Sequence, residues 1–367
     1  MKRKLFKINI QQSVLDTIDV KLASANISLA HAGFGWQRGT DANYMKEVVD
    51  YWRTKYDWRK QETALNRFDH YTVNIRGHQV HFIYQKGKGA GAKPLLLTHG
   101  WPDSFYRFDK VIDLLTNPSN GDQSFDVVIP SLPGFGFTER FPLDTTADIW
   151  AELMTNELGY ETFYAAGGDI GGTITMQLAE KHPANVKAIH LTDVGLPTGN
   201  ETILQTSAVV REFASAIPQG LMKLGAFLLL QASKPQTLAF ALNDSPLGYA
   251  AWVIEKFNDW TDNNGKREES FTKDELLTHI MLYLVSDSVQ SSLHTYYDWT
   301  KLVPTEKLEV PAAYAQFPME PIVPPREWVE SRLNLKRYNH ISKGGHFGAW
   351  ESPELYYKDL KEFFLEF

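Results

Sequence analysis

The sequence predicts an α/β fold in which a mostly parallel sheet carries a long helical insertion. The first observation is a series of short apolar runs with helical segments between them, an alternation typical of parallel sheets. The second is that the strand pattern disappears from about residue 200 to about residue 300 and then returns. The third is an N-terminal segment, rich in aromatic residues, that precedes the alternating part.

The strands of the predicted sheet are continuous apolar runs. Such runs are expected of parallel strands that helices bury on both faces. They cover residues 94–98, 125–130, 162–166, 186–191 and 310–315. Helical patterns lie between or after them at residues 105–115, 148–158, 173–181 and 353–367.

The N-terminal segment shows a helical pattern and a hairpin. Aromatic and aliphatic residues are spaced as one helix face around residues 44–52. Two strand-like runs, 70–75 and 80–84, flank a turn at 76–79. The glycine-rich run 86–91 lacks the Lys-Ser/Thr pair of a phosphate loop, so we interpret it as a turn.

These patterns divide the chain into three parts. We expect residues 1–90 to form a meander that wraps the core, residues 91–199 and 301–367 to form the α/β core, and residues 200–300 to form a helical lid. A helical insertion at this point would cover the carboxyl ends of the strands, where sites in α/β proteins form.

The composition excludes several classes of function. A formal net charge of −7 gives no electrostatic basis for binding nucleic acid or anionic lipid. The absence of cysteine removes disulfides, thiolate nucleophiles and cysteine zinc sites. No export signal and no apolar run of membrane-spanning length is present. We therefore expect a soluble, cytoplasmic protein without a metal or a cofactor.

The most informative motif is Gly167-Gly168-Asp169-Ile170-Gly171-Gly172, between a predicted strand and a predicted helix. This is the context of a nucleophile elbow, a turn so sharp that small residues must flank the nucleophile. The central residue is Asp169, and no Gly-x-Ser-x-Gly motif occurs elsewhere. The alternative is an ordinary glycine-rich turn in which Asp169 only caps the helix.

Four further positions along the chain are those expected of an enzyme with a nucleophile elbow. His99-Gly100-Trp101-Pro102 follows the first core strand, where α/β hydrolases place one oxyanion-hole N–H, and Ile170 follows the nucleophile and would supply the other. His346, in a glycine-flanked loop near the C-terminus, is the candidate base. Glu320, after the strand at 310–315, is the candidate acid that orients the base, and Asp193 is the alternative acid.

An aspartate nucleophile narrows the reaction. Its carboxylate attacks a saturated carbon and forms an alkyl-enzyme ester. Water activated by His346, with Glu320 fixing the imidazole tautomer, then attacks the ester, and the backbone N–H groups of Trp101 and Ile170 hold the oxyanion. Hydrolysis of an epoxide or of a carbon–halogen bond fits this chemistry.

The chain resembles the epoxide hydrolases of the microsomal, juvenile-hormone and fungal type. The resemblance covers nearly the whole length, and it implies an α/β-hydrolase core with a helical lid and an N-terminal meander. The matching motifs are Tyr51-Trp52-Arg53, Ile75-Arg76-Gly77, His99-Gly100-Trp101-Pro102, Pro133-Gly134-Phe135-Gly136-Phe137, Gly167–Gly172, Ala241–Pro246, Glu255-Lys256-Phe257, Phe317–Glu320 and Gly344–Phe347.

The resemblance also implies two lid tyrosines whose hydroxyls bind the epoxide oxygen. One falls on Tyr296, but the other position is occupied by Phe227. We expect Phe227 and Trp101 to line the substrate pocket. Phenylalanine cannot donate a hydrogen bond, so we predict slow epoxide turnover or a shifted substrate, unless Tyr283 or Tyr249 supplies a hydroxyl.

Two other functions fit the same residues. A haloalkane dehalogenase could use the Trp101 indole to bind the departing halide, and a binding protein could have kept the scaffold without the activity. The expected partners are a small apolar epoxide and water, with a homodimer possible and with neither nucleic acid nor membrane.

Overall fold

The computed structural model describes residues 2–29, 32–89, 91–118, 122–300, 302 and 307–367. Across these residues, nine strands form one sheet in the order β1-β2-β3-β5-β4-β6-β7-β8-β9. The strands are β1 Lys4–Phe6, β2 His70–Ile75, β3 His78–Gln85, β4 Lys93–Thr98, β5 Phe125–Pro130, β6 Phe163–Gly167, β7 Val186–Leu191, β8 Pro311–Gln316 and β9 Asn334–His340.

The sheet is antiparallel at one edge and parallel elsewhere. Strands β1, β2, β3 and β5 pair antiparallel in that order, whereas β5, β4, β6, β7, β8 and β9 pair parallel. The central strands are buried along most of their length, as their continuous apolar sequences require. The predicted α/β fold with a mostly parallel sheet is confirmed.

Helices cover both faces of the sheet and its carboxyl edge. They are α1 Gln12–Ala23, α2 Ala42–Thr54, α3 Trp58–Leu65, α4 Ile112–Thr116, α5 Thr146–Glu152, α6 Ile170–Lys181, α7 Ile203–Thr206, α8 Ala208–Lys223, α9 Phe227–Ser233, α10 Pro235–Asp244, α11 Pro246–Asp259, α12 Arg267–Ser270, α13 Lys273–Val285, α14 Val289–Leu293, α15 Thr295–Trp299, α16 Arg326–Arg332, α17 Gly348–Glu351 and α18 Pro353–Phe364. Short 3₁₀ turns occur at Ala32–Arg38, Phe105–Phe108 and Leu143–Thr145, and a π turn at Leu153–Glu157.

The predicted hairpin forms with a tighter turn than expected. Pairing continues to Ile75 opposite His78, so the turn consists of Arg76 and Gly77 alone. Both have positive φ, 53° and 88°, as a two-residue hairpin turn requires.

Several helix boundaries differ from the sequence pattern. The helix predicted at 105–115 is a 3₁₀ turn followed by the short α4, and the one predicted at 148–158 is α5 followed by the π turn. Helix α6 begins at Ile170, three residues earlier than expected, because it starts directly at the elbow. Helix α18 ends at Phe364.

Helices α7 to α15 lie between β7 and β8 in the chain, and the N-terminal segment contacts them. Lys21 of α1 pairs with Asp244 at 2.9 Å, and the Tyr51 hydroxyl donates to Asp274 at 2.9 Å. The meander is expected to end at residue 90, which lies outside the described residues. The lid is expected to end at residue 300, next to residues 301 and 303–306, which also lie outside them.

Among the described residues, no single helix has the length and hydropathy needed to cross a membrane. Helices α8 and α9 meet those criteria only as a joined pair, and they are bent by 91°.

Candidate active site

Asp169 stands at a strained turn between β6 and α6. Its backbone has φ 54° and ψ −136°, a conformation that costs energy in a non-glycine residue and is typical of functional positions. The turn is closely packed: a Cβ on Gly167 would lie 2.3 Å from the Gly171 carbonyl oxygen, and one on Gly171 would lie 2.2 Å from that of Thr98. The glycines on either side of Asp169 therefore permit a sharp elbow.

The two oxygens of the Asp169 carboxylate have different surroundings. Oδ1 accepts the backbone N–H groups of Trp101 at 3.0 Å and Ile170 at 2.6 Å. Oδ2 lies 3.2 Å from the Tyr296 hydroxyl. Burial raises the pKa of Asp169, against the opposing effects of a nearby imidazole and the two N–H donors. A Cβ on Gly100 would lie 2.4 Å from this carboxylate, so the loop can approach only with glycine there.

His346 lies between two carboxylates. Its Nδ1 is 2.7 Å from Glu320 Oε1, and its Nε2 is 3.6 Å from Asp169 Oδ2. The Glu320 carboxylate can only accept, so it holds the proton on Nδ1 and leaves Nε2 as the basic nitrogen. Burial lowers the pKa of His346, but the charges of Glu320 and Asp169 outweigh it and raise the pKa to about 9.

Backbone contacts hold the loops of Glu320 and His346 together. Met319, next to Glu320, forms an isolated parallel bridge with Gly345, next to His346. The Glu351 carboxylate accepts the N–H groups of Gly345 at 3.1 Å and Phe347 at 3.0 Å. Burial raises the pKa of Glu351 to about 7 against these donors. Glu351 is a supporting residue that no sequence motif signals.

A second supporting group lies behind the oxyanion loop. The buried Arg107 guanidinium pairs with Asp103 and donates to the backbone carbonyl of His346. His279 and Tyr283, both on α13, hydrogen-bond backbone carbonyls of residues 102 and 103. The helical insertion therefore holds the loop of Trp101, the first candidate oxyanion donor.

The site opens into a small, largely apolar cavity of about 70 Å³. Its wall is formed by Asp169, Ile170, Asp193, Gly195, Leu196, Leu221, Leu224, Phe227, Leu228, Trp260, Tyr296, Trp299, Glu320, Pro321, Ile322 and His346. Across the described residues, no group of three or more His, Asp or Glu side chains is arranged to hold a metal ion.

Phe227 lies in this wall, whereas Trp101, also expected in the pocket, is not among the residues that form it. The Trp101 indole is fully buried and stacks on the Phe227 ring, with centroids 5.6 Å apart and planes at 16°. The edge of Tyr296 covers it further, at 5.9 Å. Trp101 thus reaches the site through its backbone N–H.

The tyrosines considered as substitutes for Phe227 do not reach the cavity. The Tyr283 hydroxyl donates to the Asp103 carbonyl, and neither Tyr283 nor Tyr249 is part of the cavity wall. Burial raises the pKa of both hydroxyls well above the usual range. Tyr296 is therefore the tyrosine that the structure brings to Asp169.

Asp193, the alternative acid, lies in the wall but is turned to its own loop. Its carboxylate accepts the N–H of Gly195 at 2.6 Å. Burial, followed by the charge of Glu320, raises the pKa of Asp193 to about 7. The carboxylate that accepts the hydrogen bond from His346 Nδ1 is that of Glu320.

Comparison with known proteins agrees with this geometry. The family described as "Epoxide hydrolase N terminus" matches residues 3–108, and "alpha/beta hydrolase fold" matches residues 93–353. The chain is 34% identical to Epoxide hydrolase 1 of Sus scrofa, over 98% of this chain and 87% of that protein. The juvenile hormone epoxide hydrolase of the silkworm Bombyx mori is similar in structure, with a TM-score of 0.89, 27% identity, and coverage of 100% of this chain and 94% of that one. The epoxide hydrolase of Aspergillus niger has a TM-score of 0.85 and 27% identity, with coverage of 100% and 97%.

These relatives confirm the predicted resemblance and favour epoxide opening over carbon–halogen hydrolysis or a purely binding role. The chain therefore belongs to the epoxide hydrolase family with the α/β-hydrolase fold, enzymes that open an epoxide to a vicinal diol.

Proposed function

We propose that Asp169 is the nucleophile and that its Oδ2 attacks an epoxide carbon. The observation that carries this proposal is the unequal binding of the two carboxylate oxygens: two backbone N–H groups hold Oδ1, whereas Oδ2 is directed to Tyr296. As the new C–O bond forms, the epoxide C–O bond breaks and its electron pair stays on the epoxide oxygen. The Tyr296 hydroxyl donates to that oxygen as it becomes an alkoxide and supplies its proton.

In the second step, His346 activates water. Nε2 accepts a proton from a water molecule whose oxygen attacks the ester carbon of Asp169, with Glu320 stabilising the imidazolium. Negative charge then develops on Oδ1, which already lies 3.0 Å and 2.6 Å from the N–H groups of Trp101 and Ile170. As this intermediate collapses, the departing diol oxygen takes the proton from His346. The proton that water brought to the Asp169 carboxyl returns to Tyr296, which restores both the carboxylate and the tyrosine hydroxyl. Mass spectrometry of an Asp169 adduct tests the scheme.

The cavity supports a small apolar epoxide as substrate, because aliphatic and aromatic side chains form most of its wall. We assign residues 200–300 to a lid over this cavity and residues 1–90 to a meander around the core. A cytoplasmic location and a homodimer stay predictions, which cell fractionation and light scattering of the purified protein would test.

We predict that the rate of ester hydrolysis rises with pH to a plateau. The midpoint of this rise should lie below the pKa of His346 in the free enzyme. In the free enzyme, the carboxylates of Glu320 and Asp169 raise the pKa of His346 to about 9 despite burial. Esterification removes the charge of Asp169 and so lowers this pKa. Because only neutral Nε2 accepts a proton from water, the rate rises as pH rises through the lowered value. Single-turnover measurements of ester hydrolysis at a series of pH values give this midpoint.

The Asp169→Asn variant is the matched control for this pH dependence, since an amide carries no charge, like the ester. NMR titration of the His346 ring should give a lower pKa in Asp169→Asn than in the unmodified enzyme. Equal midpoints for the two proteins would contradict the prediction.

We predict that Phe227→Tyr increases the rate of alkylation. Phe227 lines the cavity, and its ring lies 5.7 Å from that of Tyr296 in an edge-to-face arrangement. A hydroxyl there adds a donor for the epoxide oxygen, which should raise the single-turnover rate of ester formation by about 10-fold. Phe240→Tyr, on the exposed face of α10, is the control. No gain on any epoxide would show that the missing tyrosine does not limit the reaction.

A further inference from the structure

Trp260 lies in the active-site wall and carries a buried indole N–H without an acceptor among the described residues. The side chain lines the cavity, and the residue is only 2% exposed. Its Nε1 is buried and has no hydrogen-bond partner among the described residues. A buried donor without an acceptor costs free energy. Such a donor on a side chain that lines a ligand cavity is therefore a candidate to bind the ligand.

The indole is held between two residues of the site. Its ring lies 5.0 Å from that of Phe227, tilted by 52°, and 5.1 Å from that of His346, at 70°. The Trp260 backbone carbonyl accepts the N–H of His346 at 2.8 Å. A Cβ on Gly345 would lie 2.2 Å from the same carbonyl oxygen. These contacts fix Trp260 to the loop of the catalytic base, so its position is set before substrate binds.

The other side-chain donors of the described cavity wall are already engaged. The Tyr296 hydroxyl points to the nucleophile. The Trp299 indole donates to the Thr173 hydroxyl at 2.9 Å. The imidazole of His346 is oriented by the carboxylate beside it and is needed as the base. This leaves the N–H of Trp260 as the donor without an assigned partner.

We propose that the Trp260 indole N–H donates a second hydrogen bond to the epoxide oxygen, beside that of Tyr296. It would do so next to Phe227, which occupies the position of the second lid tyrosine. The inference rests on the proposed function of Asp169. The indole keeps its proton throughout, because it is far too weak an acid to transfer it. The bond changes remain those of ester formation, and Trp260 only stabilises the electron pair that moves to the oxygen.

The Trp260→Phe variant tests the proposal, since it removes the N–H and keeps an aromatic ring. With styrene oxide as the probe, single-turnover alkylation of Asp169 should slow by about 10- to 100-fold, the range expected for one preorganised donor. Hydrolysis of the ester, followed separately, should be unchanged. The control is Trp350→Phe, whose Nε1 also has no partner in the described chain but which does not line the cavity.

A rescue experiment separates a donor from a packing residue. Adding Phe227→Tyr to Trp260→Phe should restore alkylation, and the gain should exceed that of Phe227→Tyr alone, because the two donors serve the same oxygen. A packing defect would slow both steps and would not be rescued by a hydroxyl.

Binding to the unmodified enzyme gives a measurement that does not depend on the variant folding. A small aliphatic amide offers its carbonyl oxygen as a stand-in for the epoxide oxygen, and it should shift the indole ¹H–¹⁵N resonance of Trp260 downfield while leaving that of Trp350 in place. The proposal is overturned if Trp260→Phe alkylates at the original rate, or if the amide inhibits without moving this resonance. Failure of the enzyme to form any Asp169 ester would instead overturn the proposed function and this inference with it.

Discussion

The His346→Gln variant is expected to stop at the alkyl-enzyme ester. Glutamine is polar and close in size to histidine, but it cannot accept a proton from water, so the second step loses its base while the first step keeps Asp169 and Tyr296. Steady-state diol formation should fall by about 10³-fold. After incubation with styrene oxide, intact-protein mass spectrometry should show an increase equal to the mass of one epoxide.

Two controls make this result specific. Peptide mapping should place the added mass on Asp169, and the His346→Gln, Asp169→Asn double variant should carry none. His340→Gln, at the exposed end of β9, should turn over normally and accumulate nothing. A folded His346→Gln protein that forms no adduct with any epoxide would refute Asp169 as the nucleophile.

The buried strands were predictable because their sequences are apolar on both faces. Strands β5 and β7 occupy the residues predicted for them, and β4, β6 and β8 differ by a residue at one or both ends. Edge strands β1 and β9 carry no such signal. β1 has three residues and is largely exposed, and β9 alternates charged and polar side chains with a few apolar ones. Pairing with a neighbour, not the local sequence, makes them strands.

Residues of the site that follow a strand directly could be predicted from order along the chain, since parallel strands bring their carboxyl ends to one edge. This reasoning singled out Asp169 and Glu320, and the glycine-flanked loop near the C-terminus singled out His346. In the structure, His346 lies 2.7 Å from Glu320 and 3.6 Å from Asp169. Trp260 and Glu351 could not be found in this way. Their roles depend on contacts between the helical insertion and the base loop, and no local pattern encodes such contacts.

Among the proposed donors to the epoxide oxygen, Tyr296 should be the one whose loss slows the first step most. The hydroxyl lies 3.2 Å from Asp169 Oδ2, the atom proposed to attack the epoxide carbon, and it is the hydroxyl donor of the described cavity wall. The ring packs edge-to-face against Trp101 and Phe227, so a phenyl ring preserves the packing. We expect alkylation to slow by about 10²- to 10³-fold.

The rate of the second step, ester hydrolysis, shows whether Tyr296→Phe slows alkylation alone. Ester hydrolysis depends on His346 and on the N–H groups around Oδ1, none of which the substitution touches, so the hydrolysis rate of a preformed ester should stay within about 2-fold of the original. Tyr297→Phe, the next residue on α15 and 42% exposed, should alkylate at the original rate. In a site with two tyrosines, one hydroxyl could cover for the loss of the other. Here Phe227 has no hydroxyl, so no second tyrosine can take over from Tyr296. If Tyr296→Phe still alkylates at close to the original rate, the Trp260 indole and not the tyrosine provides most of the stabilisation of the alkoxide.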